Sequence, residues 1–243
     1  MTTVSPDQEK ALATEQSDGS AVQKCAVIVV IDPGHGDRLK KGNPIDPGCV
    51  HGDIYEKDLA LAIGKLLKPK LEAKTSCVES VHLTRDGDIS ELRRRLHWRT
   101  NIAKDKKANI FISLHLDAAG ASASGQSVCH HPSFKNSVKL ATAISARAKV
   151  VKPKTKGAIS PRSDLHVLNK NHFGKETKAS VLIELGFISN DADRTACQTK
   201  QSEIAAEIAD GVEDFILANK AIFSEDSSLP KNVPIPQPRP ANR

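Results

Sequence analysis

Short apolar runs alternate with amphipathic stretches along most of this chain, and the alternation predicts strands that are each followed by a helix. Runs rich in β-branched residues and bounded by Gly, Pro or Asp are typical of buried strands. Such runs predict strands at 25–31, 78–84, 109–114, 126–130, 164–168 and 180–185. Apolar positions at helical spacing predict helices that begin near residue 55 and that cover 90–105, 135–149 and 200–218. The predicted fold class is therefore α/β: a single domain with a largely parallel, twisted sheet of about six strands flanked by helices.

The two ends of the chain differ in composition from the rest. Residues 1–23 are polar and offer little to bury, which predicts a flexible arm. Residues 221–243 are basic and rich in Pro, which predicts an extended tail. The folded domain is thus predicted at 24–220. Its first helix is expected to bend or end at Pro69, because proline lacks the N–H that closes a helical turn.

The net charge is mildly basic, with 35 Lys and Arg against 29 Asp and Glu. One Trp, one Tyr and six Phe provide few aromatic faces for base stacking. No nucleic-acid-binding motif stands out, so we expect no nucleic-acid partner. No apolar run approaches the ~18 residues of a membrane span, so we expect no membrane insertion. The five cysteines are widely spaced without a CxxC pair, which argues against a disulfide scaffold and favours folding in a reducing compartment.

Two histidines and two glutamates stand out beside the predicted strands. His35 and His115 each come directly after an apolar run, at the strand end where ligands bind in α/β sheets. Glu56 opens a helix, and Glu184 interrupts the apolar run 181–185. Taken singly, each has an ordinary explanation, such as a turn histidine, a carboxylate at a helix start or a paired strand-end carboxylate. Together, two histidines and a carboxylate are a usual ligand set for catalytic zinc, and a further glutamate can act as general base.

Five ordered motifs carry a resemblance to a known family. They are VIVVIDPGHG at 27–36, DPG at 46–48 followed by EKDL at 56–59, LTRD at 83–86, NIFISLHLDA at 109–118 and VLIELGFISN at 181–190. In this order they resemble the motifs of the zinc-dependent N-acetylmuramoyl-L-alanine amidases of the type-3 amidase family. The resemblance implies that 24–220 is an amidase catalytic domain. It also implies that the substrate is peptidoglycan, cleaved at the amide between N-acetylmuramic acid and the L-alanine of the stem peptide.

The resemblance gives each of the four residues a role. His35, Glu56 and His115 would bind one Zn²⁺, and Glu184 would be the catalytic acid and base. Zinc would then lower the pKa of water, and Glu184 would pass its proton to the leaving amine.

Two departures from the family pattern, Asp37 in place of Gly and a longer loop at 38–44, touch none of the predicted ligands. Regulated members of the family carry an extra helix after the second histidine motif. Here 117–125 is short and rich in Ala, Ser and Gly, so we expect an unobstructed site. Arg85 and Asp117 are weaker site candidates, and structural pairing near the strand ends is the better interpretation for both. Surface or rim positions are expected for the histidines His51, His130, His131 and His172.

Three other classes of function remain open on the residues alone. A non-catalytic wall-binding module on the same fold would have no need of Glu184. A zinc peptidase acting on other peptides shares the metal ligands but not the order of the motifs. A nucleic-acid binder is suggested only by the charge, and salt-dependent DNA binding would support it.

The residues at the start of the sequence contain no basic segment followed by an apolar one, so we expect synthesis in the cytoplasm without a signal peptide. The implied substrate nevertheless places the site of action in the periplasm or cell wall. A phage-type lysin, an antibacterial effector injected by a specialised secretion system, and a mature enzyme trimmed of its leader all fit. A secretion system or an immunity protein is therefore a candidate partner, and we expect a monomer.

Overall fold

The computed structural model describes residues 26–38, 40–74, 77–91 and 96–224. The predicted arm at 1–23 and residues 225–243 of the predicted tail lie outside them. The described strands are β1 Val27–Pro33, β2 Val50–His51, β3 Ile54–Tyr55, β4 Val78–Leu83, β5 Ile110–Asp117, β6 Ser127–His130, β7 Ile159–Pro161 and β8 Ala179–Phe187. The described α-helices are α1 Glu56–Lys74, α2 His97–Asp105, α3 Ser137–Arg147, α4 Asp191–Thr199 and α5 Gln201–Ala218.

Six of the strands form one sheet in the order β4-β1-β5-β8-β6-β7. The pairs are parallel except for β6 and β8, which run antiparallel. The short strands β2 and β3 pair with each other in the loop that leads to α1. The predicted single α/β domain with a largely parallel six-stranded sheet flanked by helices is confirmed.

The sheet separates two apolar clusters, because successive side chains of a strand point to opposite faces. The larger cluster contains Val29 and Ile31 of β1 with the apolar sides of α1, α3 and α5, and the smaller contains Val30 with Phe111. The predicted stripe of α5 is confirmed, since its members are all buried: Ile204, Ile208, Val212, Phe215 and Ile216. Among the described residues, no helix combines the length and apolarity that crossing a bilayer requires.

The structure differs from the sequence predictions in several local features. The strand predicted at 164–168 is a 3₁₀ turn at His166–Leu168, where Val167 and Leu168 are buried without sheet pairing, and the edge strand lies earlier at Ile159–Pro161. Helix α1 continues through Pro69 to Lys74. Helix α4 was not predicted because it is mostly polar; its N-terminus is capped by the side chain of Asn190.

The cysteines agree only in part with the expectation of a protein without a disulfide scaffold. Cys49, Cys129 and Cys197 are free thiols. Cys77 is disulfide-bonded. Because disulfides persist in oxidising compartments, the structure does not support the predicted reducing compartment.

Parallel strands β1, β5 and β8 are neighbours in the sheet and end at the same edge. His115 and Glu184 are register partners in β5 and β8. His35 lies two residues beyond the end of β1. The topology thus brings three residues from distant parts of the sequence to one end of the sheet.

Candidate metal centre and active site

The turn after β1 holds His35 in an unusual backbone conformation. Its φ of 58° lies in the left-handed region that residues other than glycine seldom adopt. Two backbone hydrogen bonds flank it: the Gly34 N–H donates to the Leu114 carbonyl at 2.9 Å, and the Gly36 N–H donates to the Asp46 carbonyl at 2.9 Å. Backbone hydrogen bonds therefore hold the turn in place on both sides of His35.

Two glycines allow a close approach around the histidines. A Cβ on Gly34 would lie 2.3 Å from Cε1 of His115, inside the contact distance of any real side chain. A Cβ on Gly48, whose φ is +68°, would lie 2.5 Å from Glu56 Oε2 and 2.7 Å from His35 Cδ2. The glycines of both DPG motifs thus leave room for the neighbouring polar side chains.

Two buried guanidinium groups bind the main chain of this turn. Arg99 of α2 donates to the Pro33 carbonyl at 2.9 Å and to the His35 carbonyl at 2.8 Å. Arg85 donates to the Pro33 carbonyl at 3.0 Å and to the Gly34 carbonyl at 2.8 Å. The structural role predicted for Arg85 agrees with these contacts.

The charge of Arg99 is balanced by Asp32 and Asp37. Its guanidinium donates to Asp32 at 2.7 Å and to Asp37 at 3.0 Å, and all three side chains are buried. Burial opposes the ionised form of Asp32, but Arg99 and the hydroxyls of Thr84 and Ser113 lower its pKa below the ordinary value. Asp37, the departure from the family pattern, is thus a partner of the arginine that holds the turn.

We expect the Arg99→Met variant to lose about 3–5 kcal/mol of unfolding free energy, because it leaves Asp32 as a buried charge without its ion pair. Urea unfolding followed by circular dichroism measures this. Arg162→Met is the matched control, since Arg162 pairs with Asp164 at the exposed surface, where water screens the interaction. Equal losses in the two variants would contradict the assigned role of Arg99.

His35, Glu56 and His115 come together as the sequence predicts. One ligand atom from each lies within 4.8 Å of the other two, so the group is able to hold a metal ion. Glu56 Oε1 lies 3.1 Å from His35 Nε2 and 2.9 Å from His115 Nδ1. The histidine side chains keep 25% and 21% of their surface exposed, whereas Glu56 keeps 2%. The two imidazole nitrogens therefore converge on a buried carboxylate from the open side.

Neighbouring groups orient the carboxylate and the first histidine. The backbone N–H groups of Cys49 and Leu116 donate to the two oxygens of Glu56, at 2.7 and 3.0 Å. The other ring nitrogen of His35, Nδ1, lies 2.8 Å from Asp46 Oδ2, which leaves Nε2 facing Glu56. Such a carboxylate behind a histidine is the usual outer support of a metal ligand.

The electrostatics of this group favour a cation. Burial opposes charge on His35, but the carboxylates of Glu56 and Asp46 outweigh burial and raise the pKa of His35 to about 9. Burial likewise opposes charge on Glu56, but the two histidines hold the pKa of its carboxyl below the ordinary value. The same carboxylates would attract a divalent metal ion held between the imidazole nitrogens.

Glu184 occupies the strand position beside His115. Burial raises the pKa of Glu184 to about 7, while the charge of His115 opposes the shift. Its Oε2 is buried and has no hydrogen-bond partner among the described residues. A buried carboxylate oxygen without a partner is costly unless it serves another purpose.

Of the remaining sequence candidates, Asp117 pairs with Lys154 at 3.2 Å, in agreement with a structural role. His172, expected at the surface or rim, is half-buried and stacks on His166. The supporting residues Asp32, Asp46 and Arg99 were not predicted. The DPG motif at 46–48 marks Asp46, but only as a turn residue.

The α/β sheet carries, beside the carboxyl ends of its strands, a His-Glu-His group that could hold a metal ion. The profile of the N-acetylmuramoyl-L-alanine amidase family matches residues 29–214. The chain therefore belongs to the N-acetylmuramoyl-L-alanine amidase family, as the sequence motifs predict.

Individual relatives support this membership. The chain is 30% identical over 191 residues to the uncharacterized protein YqiI of Bacillus subtilis, covering 77% of this chain and 84% of that protein. It is 24% identical over 196 residues to the germination-specific N-acetylmuramoyl-L-alanine amidase of the same organism, covering 76% and 78%. The CwlD amidase of Clostridioides difficile, solved in complex with the GerS lipoprotein, has a TM-score of 0.67 and 28% identity, and the match covers 79% of this chain and all of that chain.

Proposed function

We propose that this protein is a zinc-dependent amidase that cleaves peptidoglycan between N-acetylmuramic acid and the L-alanine of the stem peptide. His35, Glu56 and His115 hold the metal, and Glu184 is the catalytic acid and base. The observation that carries the proposal is the convergence of three ligand atoms within 4.8 Å beside a buried glutamate, in a chain of this family.

The donor set fits zinc. Two imidazole nitrogens and one carboxylate oxygen are a ligand set of catalytic zinc sites, which keep a fourth position for water or substrate. Zinc held there supplies Lewis acidity, which makes water more acidic and polarises the carbonyl of the scissile amide. Each oxygen of Glu56 accepts one backbone N–H, and Oε1 is the oxygen that lies near the imidazole nitrogens of His35 and His115.

Glu184 moves the proton that the reaction requires. As the oxygen of water bonds to the amide carbon, the Glu184 carboxylate accepts the proton that the water releases. The same proton is then donated to the nitrogen as the C–N bond breaks, because an amine leaves poorly without one. Burial, which raises the pKa of Glu184 to about 7, suits a group that both accepts and donates at neutral pH. A bound cation would oppose that shift.

The connection between β5 and β6 supports open access to the centre. Residues 118–126, all of which the structure describes, contain no helix. The partial exposure of His35 and His115 agrees with a centre that substrate reaches directly. We therefore propose a site that needs no displacement of a covering helix.

The proposed substrate sets the place of action. Because peptidoglycan lies outside the cytoplasmic membrane, the protein would act in the periplasm or the cell wall, as a lysin or a secreted antibacterial effector. We propose that it does so as a monomer. Size-exclusion chromatography with light scattering checks the oligomeric state, and lysis of cells after periplasmic targeting of the chain checks the setting.

Digestion of purified peptidoglycan, read by mass spectrometry with zinc content measured in parallel, tests the proposal. Free stem peptides that begin at L-alanine are expected. Cleavage within the stem peptide would instead favour a peptidase, and intact sugar–peptide links would leave only the fold and the family.

We expect the Asp46→Ala variant to bind zinc about 10–100-fold more weakly, because His35 loses the carboxylate that orients its ring. Competition with a chromophoric chelator measures the affinity. Asp53→Ala is the matched control, since Asp53 is an exposed carboxylate in the same loop region. Unchanged zinc affinity in Asp46→Ala would show that the contact is incidental.

A further inference from the structure

A second group of histidines lies outside the proposed amidase centre. His97 is the first residue of α2, and His166 and His172 lie on the two 3₁₀ turns that precede β8. One ring nitrogen from each lies within 4.8 Å of the other two. The ring centroids are 4.2 Å apart for His97 and His166, 5.1 Å for His97 and His172, and 3.8 Å for His166 and His172.

A hydrogen bond within this group leaves one ring nitrogen of His172 with a lone pair for a ligand. His172 Nδ1 lies 2.9 Å from the His166 carbonyl oxygen, which only accepts, so Nδ1 carries the proton and donates it. In the neutral ring, Nε2 of His172 is then the atom with a lone pair. A ring N–H bound to a backbone carbonyl is a common way to orient a metal-ligating histidine.

His166 Nε2 is the second observation that indicates a ligand. This atom is buried and has no hydrogen-bond partner among the described residues. A buried imidazole nitrogen without a hydrogen-bond partner is costly unless a ligand occupies it.

We propose that His97, His166 and His172 form a second metal site, which takes a divalent transition-metal ion of the zinc class. Imidazole nitrogens suit Zn²⁺, Ni²⁺ and Cu²⁺, whereas Ca²⁺ and Mg²⁺ prefer oxygen ligands. Zn–N bonds of ~2.0–2.1 Å in a tetrahedral site place ligand atoms about 3.3 Å apart. Binding would turn the stacked rings of His166 and His172 so that their nitrogens converge.

The position of the site indicates a structural purpose. Coordination of one ion would connect the first residue of α2 to the segment 166–172. Arg99, two residues after His97, donates to the carbonyls of Pro33 and His35. The ion would therefore fix the helix that holds the metal-binding turn of the proposed amidase centre, without itself touching the substrate.

Zinc stoichiometry of four proteins tests the site, with Zn²⁺ alone as the probe and free metal removed by gel filtration. We expect about two equivalents in the wild type, about one in His166→Leu, about one in His115→Ala, and none in the double variant. His131→Leu, which alters a half-buried histidine of neither group, is the matched control and should bind as the wild type does. In His115→Ala, added zinc should raise the unfolding temperature, and in the double variant it should not.

A wild-type level of zinc in His166→Leu, or a His115→Ala protein that binds none, would overturn the second site. Wild-type zinc in His115→Ala would instead count against the proposed amidase centre, so the two failures are distinguishable. If His166→Leu does not fold, as judged by circular dichroism, His172→Ala decides the question. That variant removes a half-buried ring, and it too should bind about one equivalent fewer than the wild type.

Discussion

Peptidoglycan cleavage by the Glu184→Gln variant should fall by about 10²–10⁴-fold while its zinc content stays that of the wild type. The amide of Gln can neither accept the proton of water nor return one to the leaving nitrogen. Zinc remains because Glu184 contributes none of the three convergent ligand atoms. Initial rates of release of stem peptides, with metal analysis of the same samples, measure both effects.

Glu79→Gln is the matched control for this variant, because Glu79 is an exposed strand glutamate on β4. It should retain wild-type activity. An active Glu184→Gln protein would remove Glu184 from the mechanism. Loss of zinc together with activity would instead make it a ligand or a support of the metal.

Zinc binding at the proposed amidase centre and cleavage should both be lost in the Glu56→Gln variant. The carboxylate oxygens accept backbone N–H groups from Cys49 and Leu116, so the amide NH₂ of Gln must face one of these donors. The variant also removes the negative charge that balances a cation beside His35 and His115. We expect the zinc content to fall by about one equivalent relative to the wild type. Metal analysis after dialysis against buffered zinc measures this.

Glu72→Gln changes an exposed glutamate of the same helix and should behave as the wild type. Because a buried substitution can also unfold the protein, circular dichroism of Glu56→Gln is part of the experiment. A folded Glu56→Gln protein with full zinc content would refute the ligand assignment. His115→Ala checks the same centre without placing an amide against the backbone donors.

The two histidines and Glu184 could be placed from the sequence because they depend on local patterns and one topological rule. Each apolar run shows where a strand ends, and parallel strands end at a common edge. The fold class follows from the same alternation. The apolar residues of 164–168 were misassigned because burial in a 3₁₀ turn and burial in a strand leave a similar short pattern.

The groups that support the site could not be predicted, because they meet only through tertiary packing. Arg99 reaches the His35 carbonyl across 64 positions of sequence, and nothing in the pattern of α2 distinguishes it from other helix-surface arginines. Asp46 lies on a turn whose direction is decided by the path of the whole loop. The three histidines at 97, 166 and 172 likewise have no common spacing and become a group only in the fold.

The contacts of two arginines fix the backbone path of the turn after β1 without depending on which side chains the turn carries. Arg85 and Arg99 bind carbonyl oxygens, which every amino acid possesses, rather than the side chains of the turn. The path of the chain is thus enforced by atoms that no substitution within the turn can remove. A protein engineer could therefore exchange His35, the proposed ligand, for another side chain that tolerates the left-handed backbone, and so change the metal preference of the proposed centre, without redesigning the loop.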